Sequence, residues 1–322
     1  MGAPLIQNAG PGNIDEILTT SLMNLIPGIR DNVFKSNPVL EWLYKDKMKM
    51  RLRGGVSLSH GILYGTNTTA QSYQRFDPLD VTPQDGLTRD QWNWAQYAVT
   101  VSIDGFSERI ANAGPSKITD IVEEKKEQAQ QALSLLLEQN LFAAGPGTKD
   151  IRSLATIVAN SGTEGQISGT TNTWWQAQIK SSGSFATQGI SDLTNLCNTI
   201  SVQNPTGLPE MLVSDQSSFE FYEKTQTGNI RYTNDDRMAD AGFENLRFKG
   251  IPWTWSPQAT AGTLYALHSD ALEFAVNTDT DFLVKPFIDA INADSRVSKI
   301  LLACQLMTGN RRKLGKMTGI TA

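Results

Sequence analysis

The chain has 322 residues, of which 39% are hydrophobic and only 19% are charged, and its formal net charge is −5. This length allows about two domains of ordinary size or one large one. The low charged fraction excludes a coiled coil or a strongly charged disordered chain, and the acidic balance disfavours a protein that binds nucleic acid over most of its surface.

Membrane and secretion signals are absent from the sequence pattern. No apolar run approaches the about 20 residues that cross a bilayer, and the N-terminus lacks the basic and apolar regions of a signal peptide. Two cysteines are too few for a disulfide framework. We therefore expect a soluble protein of a reducing, cytosolic compartment.

The region 45–53 is predicted to form a strand with one strongly basic face. Apolar residues alternate with basic ones there, and the basic ones are Lys45, Lys47, Lys49, Arg51 and Arg53. Two interpretations stay open. In the first, the charges lie on an edge strand and prevent unwanted sheet pairing. In the second, the basic face binds an acidic surface on a neighbouring chain, or a polyanion.

The next region, 54–91, is long, weakly charged and rich in turn residues. Its first half has the pattern of a hairpin with a polar tip, and the sequence DPLDVTPQDGLT then adds further turns. A segment of this length with few large apolar residues cannot bury much of itself. We expect it to project from the body or to lie across another molecule.

The longest predicted helix covers residues 117–143. Its apolar residues keep helical spacing, no Gly or Pro interrupts it, and it would extend about 40 Å. Further helices are predicted over 191–200 and, with Asp215 as its cap, over 215–225. Strands are predicted over 251–255, 263–267 and 272–276, and the segment 300–307 has the apolar pattern of a strand buried on both faces.

The residues that usually perform catalysis form no recognisable group. The histidines His60 and His268 have no partners at the spacing of zinc ligands, and we predict that both are surface or strand residues. Cys197 and Cys304 lie on apolar faces and are predicted to be small core residues. No phosphate-binding loop or nucleophile elbow is present, so we predict no enzymatic activity, no catalytic residue, no metal and no cofactor.

Three stretches, together with the order of elements, carry a resemblance to a known family. They are SLATIVANSGTEGQISGTTNTWW at 153–175, LHSDALEFAVNTDTDFLVKPF at 267–287 and QLMTGNRRKLGKMTGI at 305–320. With these stretches the chain resembles the major capsid proteins of tailed bacteriophages, which share the Hong Kong 97 fold. The resemblance covers nearly the whole chain and implies an α+β fold.

The resemblance also implies a division of the chain into named parts. The first parts are an N-terminal arm at 1–37, a peripheral-domain strand at 38–53 and an extended E-loop at 54–91. The peripheral domain follows at 92–179 and contains the spine helix 117–143. The last parts are an axial α/β domain at 180–275, a return to the peripheral domain at 276–310 and a C-terminal segment at 311–322.

The implied function is self-assembly. The chain would form hexamers and pentamers of an icosahedral shell around phage double-stranded DNA, which it would enclose without reading its sequence. A separate scaffolding protein, a portal and a decoration protein are the other expected partners. The expected location is the virion, after assembly in the host cytoplasm. The crosslinking residues of some family members cannot be mapped onto this chain, so no covalent crosslink between subunits is expected.

The basic face of region 45–53 is the predicted contact between subunits. The acidic residues proposed to meet it are Glu123, Glu124, Glu127, Asp235 and Asp236. Two alternatives remain at this point. One is the shell of an encapsulin-like nanocompartment with the same fold, and the other is a soluble enzyme with an unrecognised site.

Overall fold

The computed structural model describes residues 38–44, 49–106, 121–201, 207–226 and 246–322, with the backbone alone at 121–123. It has a mixed α+β fold, as the sequence predicts. The predicted N-terminal arm at 1–37 lies outside the described residues. The described helices are α1 (Pro38–Leu43), α2 (Ile121–Phe142), α3 (Leu154–Ile157), α4 (Ile190–Ser201) and α5 (Gln216–Gln226).

The strands are mostly short, apart from β6 and β17. In chain order they are β1 (Lys49–Leu52), β2 (Ser57–Leu58), β3 (Gly61–Leu63), β4 (Leu87–Arg89), β5 (Trp92–Asn93), β6 (Ala95–Asp104), β7 (Thr163–Glu164), β8 (Ile167–Ser168), β9 (Gln178–Ser181), β10 (Met211–Ser214), β11 (Leu246–Phe248), β12 (Ile251–Trp255), β13 (Thr263–Leu267), β14 (Leu272–Asn277), β15 (Leu283–Val284), β16 (Ile288–Asp289), β17 (Ser295–Thr308) and β18 (Gly315–Thr318).

The described residues divide into two compact units, and the segments 97–106, 121–135 and 280–302 form the first. In its described part, β17 pairs antiparallel with both β15 and β16. The backbone N–H of Ala290 donates to the carbonyl of Ser295 and closes the turn of this hairpin (2.8 Å). The first unit therefore presents a β-hairpin whose turn lies at residues 290–294.

The described residues of the second unit are 38–44, 49–96, 136–201, 207–226, 246–279 and 303–322. In one of its sheets, β1 runs parallel to β14, and β14 pairs antiparallel with the C-terminal part of β17. The strand β1 lies at the edge of this sheet. The prediction of a strand over 45–53 is thus correct for 49–52, while residues 45–48 lie outside the described part.

A six-stranded sheet forms the larger body of the second unit. Its strand order is β11-β12-β10-β13-β18-β9, so the strand nearest the C-terminus lies between two earlier ones. Helix α4 buries one face there, as its periodicity predicts, with Leu193, Leu196, Cys197 and Ile200 inside. Trp253 is the centre of the aromatic core beside it, and its ring stacks on Tyr222 of α5 at 4.6 Å.

The long helix α2 confirms the predicted 117–143 helix from residue 121 onward. A line of residues four apart becomes fully buried toward its C-terminal end, at Leu133, Leu137 and Leu141. Residues nearer its start are more exposed, including Lys125 and Glu127. Among the described residues, no helix is long and apolar enough to cross a membrane.

Candidate assembly surfaces

The predicted loop 54–91 has a well-anchored stem. Two short antiparallel ladders, β2 with β5 and β3 with β4, join its outgoing and returning limbs. The buried side chains of Leu58, Ile62 and Trp92 pack against Trp175 and Met307 in one apolar cluster. Further out, the ring of Tyr64 stacks on Trp174 at 5.0 Å.

The outer part of this loop, residues 63–87, contains no buried residue. Many of its hydrogen bonds are local turns, such as the Thr82 backbone N–H donating to Asp80 Oδ1 (2.9 Å). A few join its two limbs, such as the Thr68 hydroxyl donating to Gln84 Oε1 (2.9 Å). Several large apolar side chains are nevertheless exposed, including Phe76 at 92% and Val81 at 89%. Because an apolar surface of this kind gains free energy when it is covered, we call residues 63–87 the outer loop and treat it as a contact surface.

The stem also holds a charged cluster of three residues that distant parts of the sequence supply. His60 Nδ1 lies 2.9 Å from Asp90 Oδ2, and His60 Nε2 lies 2.8 Å from Glu273 Oε2. Asp90 is fully buried and also accepts a hydrogen bond from Trp92 Nε1 (2.7 Å). The hydrogen bonds to the two carboxylates raise the pKa of His60 to about 10.

Sequence reasoning missed this cluster. It placed His60 as an isolated surface or strand histidine, whereas the structure surrounds it with Asp90 on the returning limb and Glu273 on β14. His268 is also buried rather than on the surface, and its Nδ1 accepts a hydrogen bond from the Asp270 backbone N–H (3.1 Å). No spacing along the chain indicates either arrangement, because the residues that meet are far apart or bonded through the backbone.

The structure describes three of the five predicted basic residues of region 45–53. The ammonium of Lys49 lies 4.3 Å from the ring centre of Tyr44, and Arg53 forms an exposed ion pair with Asp279 at 3.4 Å. Arg51 is exposed. Because β1 is an edge strand, the interpretation that these charges block sheet pairing fits its position. Lys45 and Lys47 lie outside the described residues.

The predicted acidic partners are described only in part. Glu124 is half-buried and Glu127 is exposed, both on α2. The side chain of Glu123 and the pair Asp235 and Asp236 lie outside the described residues. The pairing of these acidic residues with the basic face stays a prediction, because it concerns two different copies of the chain.

A second exposed apolar surface lies in the first unit, and the sequence analysis did not single it out. In this hairpin, Ile288 of β16 is 69% exposed and Ile291 of the turn is 99% exposed. Nearby, the ring of Phe287 lies under the ammonium of Lys126 at 5.7 Å. The sequence gives little indication of this apolar surface, because Ile288 and Ile291 are separated by Asp and Ala and followed by Asn, a composition typical of an ordinary turn.

Groups with catalytic or metal-binding potential are sparse in the described part of the chain. No set of three or more His, Cys, Asp or Glu side chains there converges on a common point that could hold a metal ion. Both cysteines are buried and unbridged, and burial raises the pKa of Cys197 to about 11, which keeps it a thiol.

Comparison with known proteins gives a consistent result for the fold. No protein-family model matches the sequence, and no curated protein matches it significantly. Solved structures do match it. The capsid asymmetric unit of cyanophage A-1(L) has a TM-score of 0.68 at 14% identity, and the match covers 92% of this chain and 96% of that chain.

Two further structures show how widely this fold is shared. The capsid of Myoviridae phage XM1 has a TM-score of 0.60 at 11% identity and covers 96% of this chain and 99% of that one. The holo-SrpI encapsulin complex from Synechococcus elongatus PCC 7942 also scores 0.60, at 13% identity, over 94% of this chain and 95% of that one. The chain therefore has the fold of phage capsid proteins, the Hong Kong 97 fold that its sequence resembles.

Proposed function

We propose that this chain is the major capsid protein of a tailed phage, which assembles with copies of itself into hexamers and pentamers of an icosahedral shell around double-stranded DNA. The observation that carries the proposal is the outer loop. Its stem packs into an apolar cluster, but the loop exposes Phe76 and Val81 almost completely, and a second copy of the chain is the surface that would cover them. The fold shared with phage capsid proteins supports the same function.

The parts of the chain would divide this work as the resemblance implies. Residues 54–91 would be the E-loop that lies over a neighbouring subunit, and α2 would be the spine helix. The body with β9–β13 would lie in the axial domain, and the first unit would belong to the peripheral domain. The work would then be mechanical rather than catalytic, which the fold shared with phage capsid proteins supports.

The remaining partners belong to the same proposal. A separate scaffolding protein and a portal would guide assembly in the host cytoplasm, a decoration protein would bind the finished shell, and no covalent crosslink would join subunits. The basic face with Arg51 and Arg53 would meet acidic residues such as Glu124 and Glu127 on another copy. Its exposure in β1 supports this pairing.

A double variant of the outer loop, Phe76→Ser with Val81→Ser, tests the proposal. Both side chains are exposed in the single chain, so the unassembled protein should keep its urea midpoint within the error of measurement. Shells should fail to form in electron micrographs of the purified chain, alone or with its scaffold. A matched control, Thr66→Ala with Ser72→Ala, changes two exposed polar residues of the same loop and should assemble normally.

The opposite outcome is equally clear. If the wild-type chain stays a single subunit under every assembly condition, the capsid proposal is wrong. If the Phe76 and Val81 variant forms normal shells, the outer loop is not the contact that holds them together.

An encapsulin-like nanocompartment shell is the second candidate, because an encapsulin shares the fold at the same TM-score as one of the phage capsids. The contents of purified particles separate the two candidates. A phage capsid would contain double-stranded DNA and carry a portal, whereas a nanocompartment would contain a cargo protein.

A further inference from the structure

The cluster at the loop stem has a geometry that determines the protonation state of its histidine. Both ring nitrogens of His60 lie within 3 Å of a carboxylate oxygen, Nδ1 with Asp90 and Nε2 with Glu273. A neutral imidazole has one N–H, whereas an imidazolium has two. Only the charged form can therefore donate to both carboxylates at once.

The cluster joins three separate segments of the second unit. His60 lies between β2 and β3 on the outgoing limb of the loop, and Asp90 lies between β4 and β5 on the returning limb. Glu273 belongs to β14, in the sheet below. Backbone groups add two hydrogen bonds between His60 and Asp90. The His60 N–H donates to Asp90 Oδ1, and the Asp90 N–H donates to the His60 carbonyl (3.2 Å).

The two ends of the cluster differ in burial. Asp90 has no exposed surface, and Gly165 closes over it so tightly that a Cβ there would lie 2.8 Å from the Asp90 Cβ. The side chains of His60 and Glu273 are 20% and 30% exposed. In the described part of the chain, the charged groups that act on His60 are the carboxylates of Asp90 and Glu273.

We propose that His60 is a positioning residue for assembly: its imidazolium locks both limbs of the loop stem to β14 and so sets the direction in which the outer loop projects. This inference rests on the proposed function, because it assigns the outer loop a partner on another subunit.

The length of the outer loop explains why its direction matters. Each limb of 63–87 has about 12 residues and reaches at most about 40 Å when extended. A rotation of about 10° at the stem would then displace the tip by about 7 Å, more than the width of a side chain. The stem ladders β2 with β5 and β3 with β4 contain only two or three residue pairs each, so they need a further constraint to hold one angle.

Nuclear magnetic resonance of the unassembled chain tests the lock directly, because the sequence has only two histidines. We expect ¹⁵N shifts of a doubly protonated ring for His60 from pH 6.5 to 9. His268 is an internal reference for a ring whose Nδ1 accepts a hydrogen bond from a backbone N–H. A neutral His60 at pH 7 would overturn the proposal.

Two variants then link the lock to assembly. In His60→Gln, amide exchange in residues 58–62 and 87–92 should accelerate at least tenfold, exchange in β10 and β13 should stay unchanged, and shell assembly should slow at least tenfold. Glu273→Gln removes one carboxylate at the exposed end. We expect its assembly to match the wild type at pH 6 and to fall at least fivefold by pH 9, a pH profile that a merely structural role would not produce.

The control and the outcomes separate this inference from the proposed function. Glu223→Gln makes the same change at an exposed position of α5 and should leave exchange and assembly unaltered. If shells form but neither variant alters assembly, the positioning role is wrong and the capsid proposal stands. If the wild type forms no shell, the capsid proposal fails, and unchanged stem exchange in His60→Gln would overturn the lock as well.

Discussion

The guanidinium of Arg311 is fully buried and caps a short helix from a distance of more than 150 residues along the chain. Its Nε donates to the carbonyl of Ile157 (2.7 Å), and its Nη2 donates to the carbonyls of Thr156 (3.1 Å) and Ala159 (2.7 Å). These oxygens lie at the C-terminal end of α3, where a helix leaves carbonyls without partners. The planar fork of arginine suits such a set of acceptors better than the single ammonium of lysine does.

Replacing Arg311 with Ala should lower the free energy of unfolding by about 3–5 kcal/mol, because it leaves three buried carbonyls without their donor and removes one of the two cations that stabilise the Glu164 carboxylate, the other being Arg152. Arg311→Lys should recover less than half of that loss. Urea titration measures both values. Arg312→Ala is the matched control, since the adjacent arginine is exposed and its removal should cost less than about 0.5 kcal/mol. Equal effects at 311 and 312 would contradict the capping role.

The charged cluster at the loop stem predicts a pH dependence of stability. The folded-state pKa of His60 is about 10, above the ordinary value of 6.5. The imidazole thus holds its proton more tightly in the folded chain than in the unfolded chain. The charged His60 therefore stabilises the folded state fully below pH 6.5, and this contribution is lost as the pH rises toward 10. The stability difference between the wild type and His60→Gln, measured by urea titration, should shrink steadily from pH 6.5 to 10. A difference that grows with pH would show that the imidazole is neutral in the folded state.

Single residues differ in how far the sequence alone reveals them. The buried face of α4, Cys197 included, follows from helical periodicity, because its spacing is local. The partners of His60 cannot be predicted from periodicity, because they lie 30 and 213 residues away along the chain. The role of Arg311 is hidden for the same reason: a basic triplet near the C-terminus resembles a solvated tail, and only the fold shows which of its members is buried.

At the scale of elements, periodicity predicts most helices and strands but not their partners. The predicted strands 251–255 and 263–267 match β12 and β13, and the helix predicted over 215–225 is α5, with Asp215 bonded to the Ser218 hydroxyl. Which strands share a sheet is a long-range property. The sequence could not show that β18, from the predicted C-terminal segment, lies between β13 and β9.

Two turn glycines can show how firmly the C-terminal segment around Ile320 is held against the six-stranded sheet. Both Gly250 and Gly262 have positive φ, +81° and +66°, which disfavours any other residue. At Gly262 a Cβ would also lie 2.9 Å from the backbone carbonyl oxygen of Ile320, whose N–H donates to Gly262. At Gly250 a Cβ would meet nothing within 4 Å.

We therefore expect Gly250→Ala to lower the free energy of unfolding by about 1 kcal/mol, which is the cost of the backbone conformation alone. Gly262→Ala should cost about 2–3 kcal/mol, because the segment around Ile320 must also move. Thermal and urea unfolding of the two variants provide the comparison. Equal costs would mean that the C-terminal segment is only loosely held at this turn.

At the scale of the whole molecule, the charge distribution is as informative as the fold. The chain is acidic overall, yet basic residues concentrate at 45–53 and again at 311–316. Much of the second group has a role within the subunit, since Arg311 is buried and Lys313 lies 3.4 Å from Asp270. The first group is the more available for contacts between molecules, because Arg51 is exposed and Arg53 remains exposed in its ion pair with Asp279. Within that group, however, Lys49 lies over Tyr44.

A triple reversal, Lys47→Glu with Arg51→Glu and Arg53→Glu, tests this reasoning at the level of assembly. The single chain should keep its urea midpoint, because the described members of the set are exposed, while shell formation should be abolished by repulsion from the acidic surface of the neighbour. Wild-type assembly should also slow when salt rises from about 0.1 to 1 M, as the screening length falls from about 10 to 3 Å. Reversing the exposed set Lys149, Lys224 and Arg312 changes the net charge equally and should leave assembly intact. If both reversals block assembly alike, general repulsion rather than local pairing is the cause, and normal shells from the first would refute the pairing outright.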